Sequence, residues 1–577
     1  MVLGVFDYIV FISALIISGG IGIYSRFSGG RQKTNEEYLL GGKNQKVFPV
    51  AVSLVASFAS SISILGYTSE VYRFGTHFFS INIAYILSTP VAAIFYLPVL
   101  FKNNTVSVYE YLEKRFGRPT RLLASFAFTI QMILYMGIVH YAPALAVEAV
   151  TGIPQEWSII LVGMICIFYS TIGGVKAVII TDIFQTFLMF ASVYAIIIVN
   201  ILDAGGFGQI WNEADAHNRI QFSNFNLDPT ERHSWYTVVI GGFFTHINIY
   251  AINQAQVQRY VSMNSYKSAA MALLLSCPIL ITFMSSLCLA GLCLFYFYRN
   301  CDPIKDGRIE SADQLVPLYV MDRFNNIPGL TGLFVAGIFS ASLSTVSAAV
   351  NSLAAVTLED YVKPAYTYMY KKELNNKNST LTKTLAMGYG FLCLIVALLV
   401  RNYDSLLQNC FVVFGIVGGP LFALYTSGIM IPFVNQFGAL IGFVVGLVFC
   451  FIIGFGGPKP KPVPLPTIID GCETNVTSVI RQTLIKNITN TTFTNEYKKT
   501  SDYYYIFRIS YLYYIVLGFL ITFVLNILIS LIHSDPDHYP QAELFTPVVA
   551  NCVRKRRIKE ERVYMHDVKR LQELDRF

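Results

Sequence analysis

GLFVAGIFSASLSTVSAAVNSLAAVTLED, residues 332–360, is the stretch on which the reading of the whole chain turns. It is long enough to cross a bilayer as a helix, which takes about 20 residues. Its middle is not evenly apolar: Ser340, Ser342, Ser344, Thr345, Ser347 and Asn351 crowd there. A hydroxyl in a membrane helix is tolerated because it bonds back to a carbonyl one turn earlier. That accounts for one or two of these residues, not for all. Ser344 and Thr345 follow Ala341 by three and four positions, so one face carries two hydroxyls with a carbonyl one turn below. Hard neutral oxygens in this arrangement suit Na⁺, and transporter ion sites lie near the membrane midplane. The same small residues also suit a close helix–helix interface. The stretch alone leaves both readings open.

The rest of the chain agrees with a membrane setting. Of 577 residues, 54% are hydrophobic and 13% charged, about half the charge of a soluble domain, and the mean hydropathy is +0.52. The apolar runs are too long for barrel strands, so the expected fold is an all-α polytopic membrane protein. About thirteen transmembrane helices are predicted, near 5–27, 48–71, 78–100, 122–149, 157–175, 179–202, 235–256, 268–298, 328–357, 381–401, 404–431, 436–456 and 507–533. The first run lacks a basic flank and a small-residue cleavage site, so it reads as a retained span. The net charge of +7 sits in loops beside spans and carries no nucleic-acid signal. No phosphate loop, HExxH, CxxC or GxSxG motif occurs, so the chain is not read as an enzyme, and any pumping draws on an ion gradient.

Lys and Arg cluster after spans one, three and nine and again in the 534–577 tail, whereas the intervening short loops are nearly bare. The positive-inside rule then places the N-terminus outside and the tail in the cytoplasm. The sequons at Asn475, Asn487 and Asn490 fall in the 457–506 loop, on the predicted outer side where glycosylation occurs. That loop opens with the Pro-rich PKPKPVPLPT, an extended entry. Cys301 and Cys472 both lie in predicted outer loops, where a disulfide is permitted.

Several spans carry polar residues that packing alone does not require. Span two centres on Ser57, Ser60, Ser61, Ser63 and Gly66, a composition that allows a mid-membrane break exposing backbone carbonyls. Span four carries His140, and span seven carries His246, Asn248 and Asn253. Each histidine either faces a polar cavity or is a neutral imidazole bonded to a backbone carbonyl. Asp182, just inside span six, collects a released cation or pairs with Arg259. The glycines and proline of Phe414-Gly-Ile-Val-Gly-Gly-Pro420 predict a bend in span eleven.

SVYEYLEKRFG (107–117), GGVKAVIITDIFQ (173–185), NQAQVQRYVS (253–262), LSTVSAAVNSLAAVTLED (343–360) and VFGIVGGP (413–420) together resemble the solute:sodium symporter family. The branch of monocarboxylate, iodide and multivitamin carriers is the most similar. The resemblance implies the leucine-transporter fold, with inverted five-helix repeats over about 48–202 and 235–431 inside a transmembrane domain spanning 1–533. It implies a Na⁺ site from the carbonyls of Ala56, Ala59 and Ala341 and the hydroxyls of Ser344 and Thr345, with Asp182 on the ion's exit path. Substrate contacts would map to Ser60, Ser63, Tyr141 and Phe414, with His246 facing the same cavity. The chain departs from that branch at Ser63, His140 and His246, where Gln or Thr, an aliphatic residue and an aromatic residue are usual. The expected activity is Na⁺-coupled import of a small organic anion, monocarboxylate-like, across the plasma membrane. Na⁺ is the co-transported ion, the partners are the anion and membrane lipid, and no organic cofactor is expected. The alternatives are a vitamin carboxylate, an iodide-like anion, a neutral polyol, or a sodium-dependent sensor or channel without transport.

Overall fold

The computed structural model describes residues 4–27, 34–103, 106–372, 374, 379–399, 405–472, 503–533 and 541–556. Helices occupy all thirteen of the predicted spans. Ten helices among the described residues are long and apolar enough to cross a membrane. They are α1 (Val5–Phe27), α4 (Thr76–Asn103), α5 (Arg118–Thr151), α7 (Gly174–Ala204), α10 (Tyr266–Phe297), α11 (Leu330–Val356), α12 (Thr380–Leu399), α13 (Leu406–Met430), α14 (Gln436–Phe455) and α15 (Tyr514–Ile532). Between them lie the short apolar α6 (Gln155–Tyr169) and two interrupted spans.

The first interrupted span is α2 (Val47–Phe58) and α3 (Ser63–Phe74), which meet at 64°. The helix stops because Ala59 turns to φ −74°, ψ 94°. The chain restarts on the carbonyl of Ser60, which accepts from the amides of Ser63 (2.9 Å) and Ile64 (3.3 Å). The second is α8 (Trp235–Ile247), extended by a wide turn over Asn248–Ile252, then α9 (Gln254–Val261). Here Asn253 is extended at ψ 131°, and its side chain caps α9 by accepting from the Ala255 amide at 2.9 Å.

Helix α11 is the axis of the bundle. Its most apolar window is 94% buried, against 22% for the peripheral α1. A helix buried all round needs small residues where neighbours come closest. A Cβ on Gly332 would meet the Asp7 carbonyl oxygen at 2.3 Å, and one on Gly337 would meet Ser192 Oγ at 2.3 Å. In span eleven, where a bend is expected, α13 is one uninterrupted helix from Leu406 to Met430 with Pro420 inside it. Its glycines are contact points, since added Cβ atoms would lie 2.8 Å from Tyr514 Cβ at Gly415 and 2.5 Å from Asn248 Nδ2 at Gly418.

Outside the bundle, residues 457–472 run across the end of α3. The Leu465 amide donates to the Arg73 carbonyl at 2.8 Å, and Arg219 Nη2 donates to the Pro466 carbonyl at 2.7 Å. Cys301 and Cys472 are joined in a disulfide with Cα atoms 4.9 Å apart. The sequons at Asn475, Asn487 and Asn490 lie outside the described residues, as does the tail beyond residue 556.

Candidate functional site

Both helix breaks open into one central cavity. Ser57, Phe58, Ser60 and Ser63 line it from the first interrupted span, and Asn253, Ala255 and Gln256 from the second. Tyr135 of α5, Thr345 and Ala348 of α11, and Cys410, Phe411 and Phe414 of α13 complete much of the wall. The space open to the centre of a water molecule is about 90 Å³, enough for on the order of six waters or a solute of similar size. Among the described residues, no charged side chain lines it. Its polarity comes from hydroxyls, amides and the N-terminal ends of two half-helices, α3 and α9, whose peptide dipoles point their positive ends inward.

Of the expected Na⁺ ligands, Thr345 stands in the cavity wall together with Ser57, Ser60 and Ser63. Its hydroxyl donates to the Ala341 carbonyl at 3.0 Å. Ala56, Ala59, Ala341 and Ser344 are fully buried behind that wall. The Ser344 hydroxyl donates to Asp182 Oδ1 at 2.6 Å. Asp182 is also held from the other side: Ser53 donates to its Oδ2, and Arg259 Nη2 lies 3.2 Å from the same oxygen. Arg259 Nε in turn donates to Ser53 at 2.7 Å. Of the two readings of Asp182, the structure therefore shows the pairing with Arg259. One hydroxyl of the proposed ion site is tied directly to that buried ion pair, so ligand geometry and ion-pair geometry cannot change independently.

Next to this network, Ser342 of α11 donates to Ser61 at 2.7 Å, and the Val139 carbonyl lies within 3.4 Å of both hydroxyls. The hydroxyl face of α11 thus meets the break between α2 and α3, α5 and α7, while its glycine face meets α1 and α7.

Ser60, Ser63 and Phe414 line the cavity; Tyr141 and His246, expected beside them, do not. Tyr141 is outside the lining, and its hydroxyl accepts from Gln155 Nε2 at 3.1 Å, at the start of α6. His246 is also outside. Its ring stacks on Tyr250 at 4.2 Å between centroids, lies 4.9 Å from Tyr85, and shares a 2.8 Å hydrogen bond with Ser88. Tyr85 and Phe58, both lining residues, screen it from the cavity. His140 shares a 2.8 Å hydrogen bond with the Met136 carbonyl one turn earlier, the backbone-bonded alternative. A helical face at 3.6-residue spacing does not say which neighbour covers it, and here aromatic rings do.

Sequence reasoning passed over Gln256, Tyr67, Tyr85 and Tyr135. Gln256 had a signal, since it sits in the NQAQ run beside the second break. Its Nε2 donates to Ser57 at 3.1 Å and to the Leu54 carbonyl at 3.3 Å, bridging the two interrupted spans. The tyrosines had none, being 36 of 577 residues.

A model of the sodium:solute symporter family matches residues 38–446. A Drosophila melanogaster protein provisionally named a sodium-dependent multivitamin transporter is 46% identical over 570 residues, covering 96% of this chain and 93% of its own. Human sodium-coupled monocarboxylate transporter 1 is 40% identical over 534 residues, covering 91% and 87%. Among solved structures, a Na⁺-coupled sialic acid symporter in a substrate-bound outward-open state superposes with a TM-score of 0.73 at 22% identity, covering 92% of this chain and 98% of its own.

Proposed function

Since the chain belongs to the sodium:solute symporter family, we propose that it imports a small organic anion, monocarboxylate in kind, together with Na⁺ across the plasma membrane. The observation that carries this reading is the pair of half-helix N-termini converging on a cavity without a charged lining residue. An isolated anion in such a place would be costly. Two partners offset that cost here. The inward-pointing peptide dipoles favour a carboxylate, as half-helix N-termini do in other transporters. A Na⁺ held by the carbonyls of Ala56, Ala59 and Ala341 and the hydroxyls of Ser344 and Thr345 supplies a full positive charge next to it.

Coupling follows from that electrostatics. The anion binds well only when Na⁺ is present, so the two cross together. If more than one Na⁺ accompanies each anion, every net charge moved inward gains about 2.3 kcal/mol per 100 mV. On the inner side, Asp182 and Arg259 form a latch against Ser344. Na⁺ leaves past Asp182 when the latch opens, and the carboxylate takes its turn with Arg259 once the ion has gone. Ser60, Ser63, Asn253 and Gln256 supply the hydroxyls and amides that orient the substrate, and Phe414 with Tyr135 packs against its apolar part. The names of the relatives support this cargo class, and the cavity's size favours a molecule of lactate's scale. A vitamin carboxylate is the second reading, favoured by the 46% identical relative.

The test is uptake into cells expressing the chain, with Na⁺ replaced by choline and a panel of labelled pyruvate, lactate, biotin, iodide and hexose. Concentrative pyruvate or lactate uptake that requires Na⁺ and is lost in Ser344→Ala/Thr345→Ala is expected. Accumulation that ignores Na⁺ would overturn the coupling, and transport of biotin alone would move the cargo to the vitamin class.

A further inference from the structure

A second cavity lies directly above the first, on the side where residues 457–472 cross the bundle. It is larger, about 390 Å³ by the same measure, and more polar in its lining. One aromatic layer separates the two. Phe78 and Phe411 line the central cavity, with their rings 6.2 Å apart. Above them, His233 is 5.2 Å from Phe78 and Tyr511 is 5.7 Å from Phe411, and both line the upper cavity. A solute coming from that side meets the upper cavity first.

The charges there are unbalanced. Arg232, Lys459, Lys461 and Arg508 line the upper cavity, and Glu231 is the acid among its lining residues. Arg232 is already neutralised, with its Nε 2.8 Å from Glu70, while its Nη1 donates to Gln408 at 2.9 Å. His233 Nε2 lies 3.0 Å from the same Glu70 oxygen. The other three cations make no ion pair among the described residues. The Lys459 ammonium sits 4.7 Å from the Tyr514 ring centroid, a cation–π contact that leaves its charge in place. Burial alone pushes Lys459 down to about 8. The Nε of Arg508 is buried and donates to no acceptor among the described residues; Asp228 interacts with this guanidinium only at longer range. Cations without an ion-paired acid, two of them half-buried (Lys459 and Arg508) and Lys461 exposed, around a water-accessible space leave donor capacity that an anion would use.

We propose that this vestibule is a capture site for a small carboxylate anion, held by Lys459, Lys461 and Arg508 and passed to the central cavity when Phe78 and Phe411 part. The site rests on the reading that the cargo is anionic, and it gives that reading an entrance. A cleft of one sign with low-dielectric walls raises the local concentration of its counter-ion and the on-rate by about 10- to 1,000-fold. Such an effect appears in KM rather than kcat and weakens with ionic strength. As pH rises through about 8, Lys459 gives up its charge, so capture weakens on the alkaline side.

The test uses the full-length protein at the cell surface with Val463→Cys, a lining position that is 87% exposed. Its reaction rates with an anionic and a cationic methanethiosulfonate are each normalised to those of a free thiol, and the unsubstituted chain is subtracted. The anionic reagent is expected to be favoured by about tenfold or more. Lys459→Gln/Lys461→Gln/Arg508→Gln should bring the ratio to near one. Choline pyruvate, in the absence of Na⁺, should slow the anionic reagent more than choline chloride does. A ratio near one before the triple substitution, or protection by pyruvate no greater than by chloride, overturns the capture site. Because no transport step enters this measurement, it can succeed while the uptake panel rejects a monocarboxylate cargo, and the reverse.

Discussion

Asp182 and Arg259 form a buried ion pair that also holds the Ser344 hydroxyl, one of the ligands of the proposed ion site. Both are buried in a segment where water cannot screen them, and each is held by Ser53 as well as by the other. Breaking such a pair from one side leaves a charge without a partner, which costs about 3–5 kcal/mol. Arg259→Met is therefore expected to lower the thermal midpoint in detergent strongly, and Asp182→Asn/Arg259→Met to recover much of the loss. Equal midpoints for the single and double variants would show that the pair does not act as a unit. The identity of the partner was legible as one of two options, because a carboxylate inside a span needs either an ion or a cation side chain. Which one it takes depends on α7 and α9 meeting in space. His246 makes the complementary point. Its chemistry invited a place in the cavity, yet Tyr85, Tyr250 and Ser88 enclose it, and none of those three is near it in sequence except Tyr250.

At the scale of elements, α11 carries its close-packing glycines and its hydroxyls toward different neighbours. Gly332 and Gly337 face neighbouring helices at distances that exclude a Cβ, whereas Ser342, Ser344 and Thr345 face the breaks and the ion pair. The alternatives were rivals only while the helix was considered as a line; around a cylinder they occupy different faces. Gly337→Ala should destabilise by about 1–3 kcal/mol through overpacking against Ser192. Ser192→Gly in the same chain should restore most of it, read as thermal midpoints in detergent. No rescue would mean that the close approach is relieved by moving the helices rather than by that one side chain. The break in span two was legible from its run of small and hydroxyl residues. The close packing of the α13 glycines was not, because glycine serves equally well for a bend and for a close approach.

For the whole molecule, the charge asymmetry of the loops is an expectation of orientation still to be tested, and it would put the tail in the cytoplasm and residues 457–506 outside. The capture vestibule needs that orientation, since residues 459–463 form its wall. Replacing Asn475, Asn487 and Asn490 with Gln should lower the apparent mass of the cell-surface protein as glycosidase treatment does, whereas Asn103→Gln and Asn378→Gln, at the sequons Asn103-Asn-Thr and Asn378-Ser-Thr of the loops expected in the cytoplasm, should not change it. Glycan on Asn103 or Asn378 would invert the topology and put the vestibule on the cytoplasmic side.

Hydropathy alone determined that this is a bundle of membrane helices, because each span must satisfy its own backbone hydrogen bonds and so declares itself locally. Local composition also marked the break in span two and the hydroxyl-rich axis, since each is a property of a few consecutive residues. Only the tertiary structure decided that both breaks open into one cavity, that Asp182 is locked to Arg259, that aromatic rings wall His246 off, and that a Pro-rich segment completes a basic chamber above. Those outcomes depend on residues 77 to several hundred positions apart, and a period of 3.6 says which face a side chain occupies but not what lies opposite it.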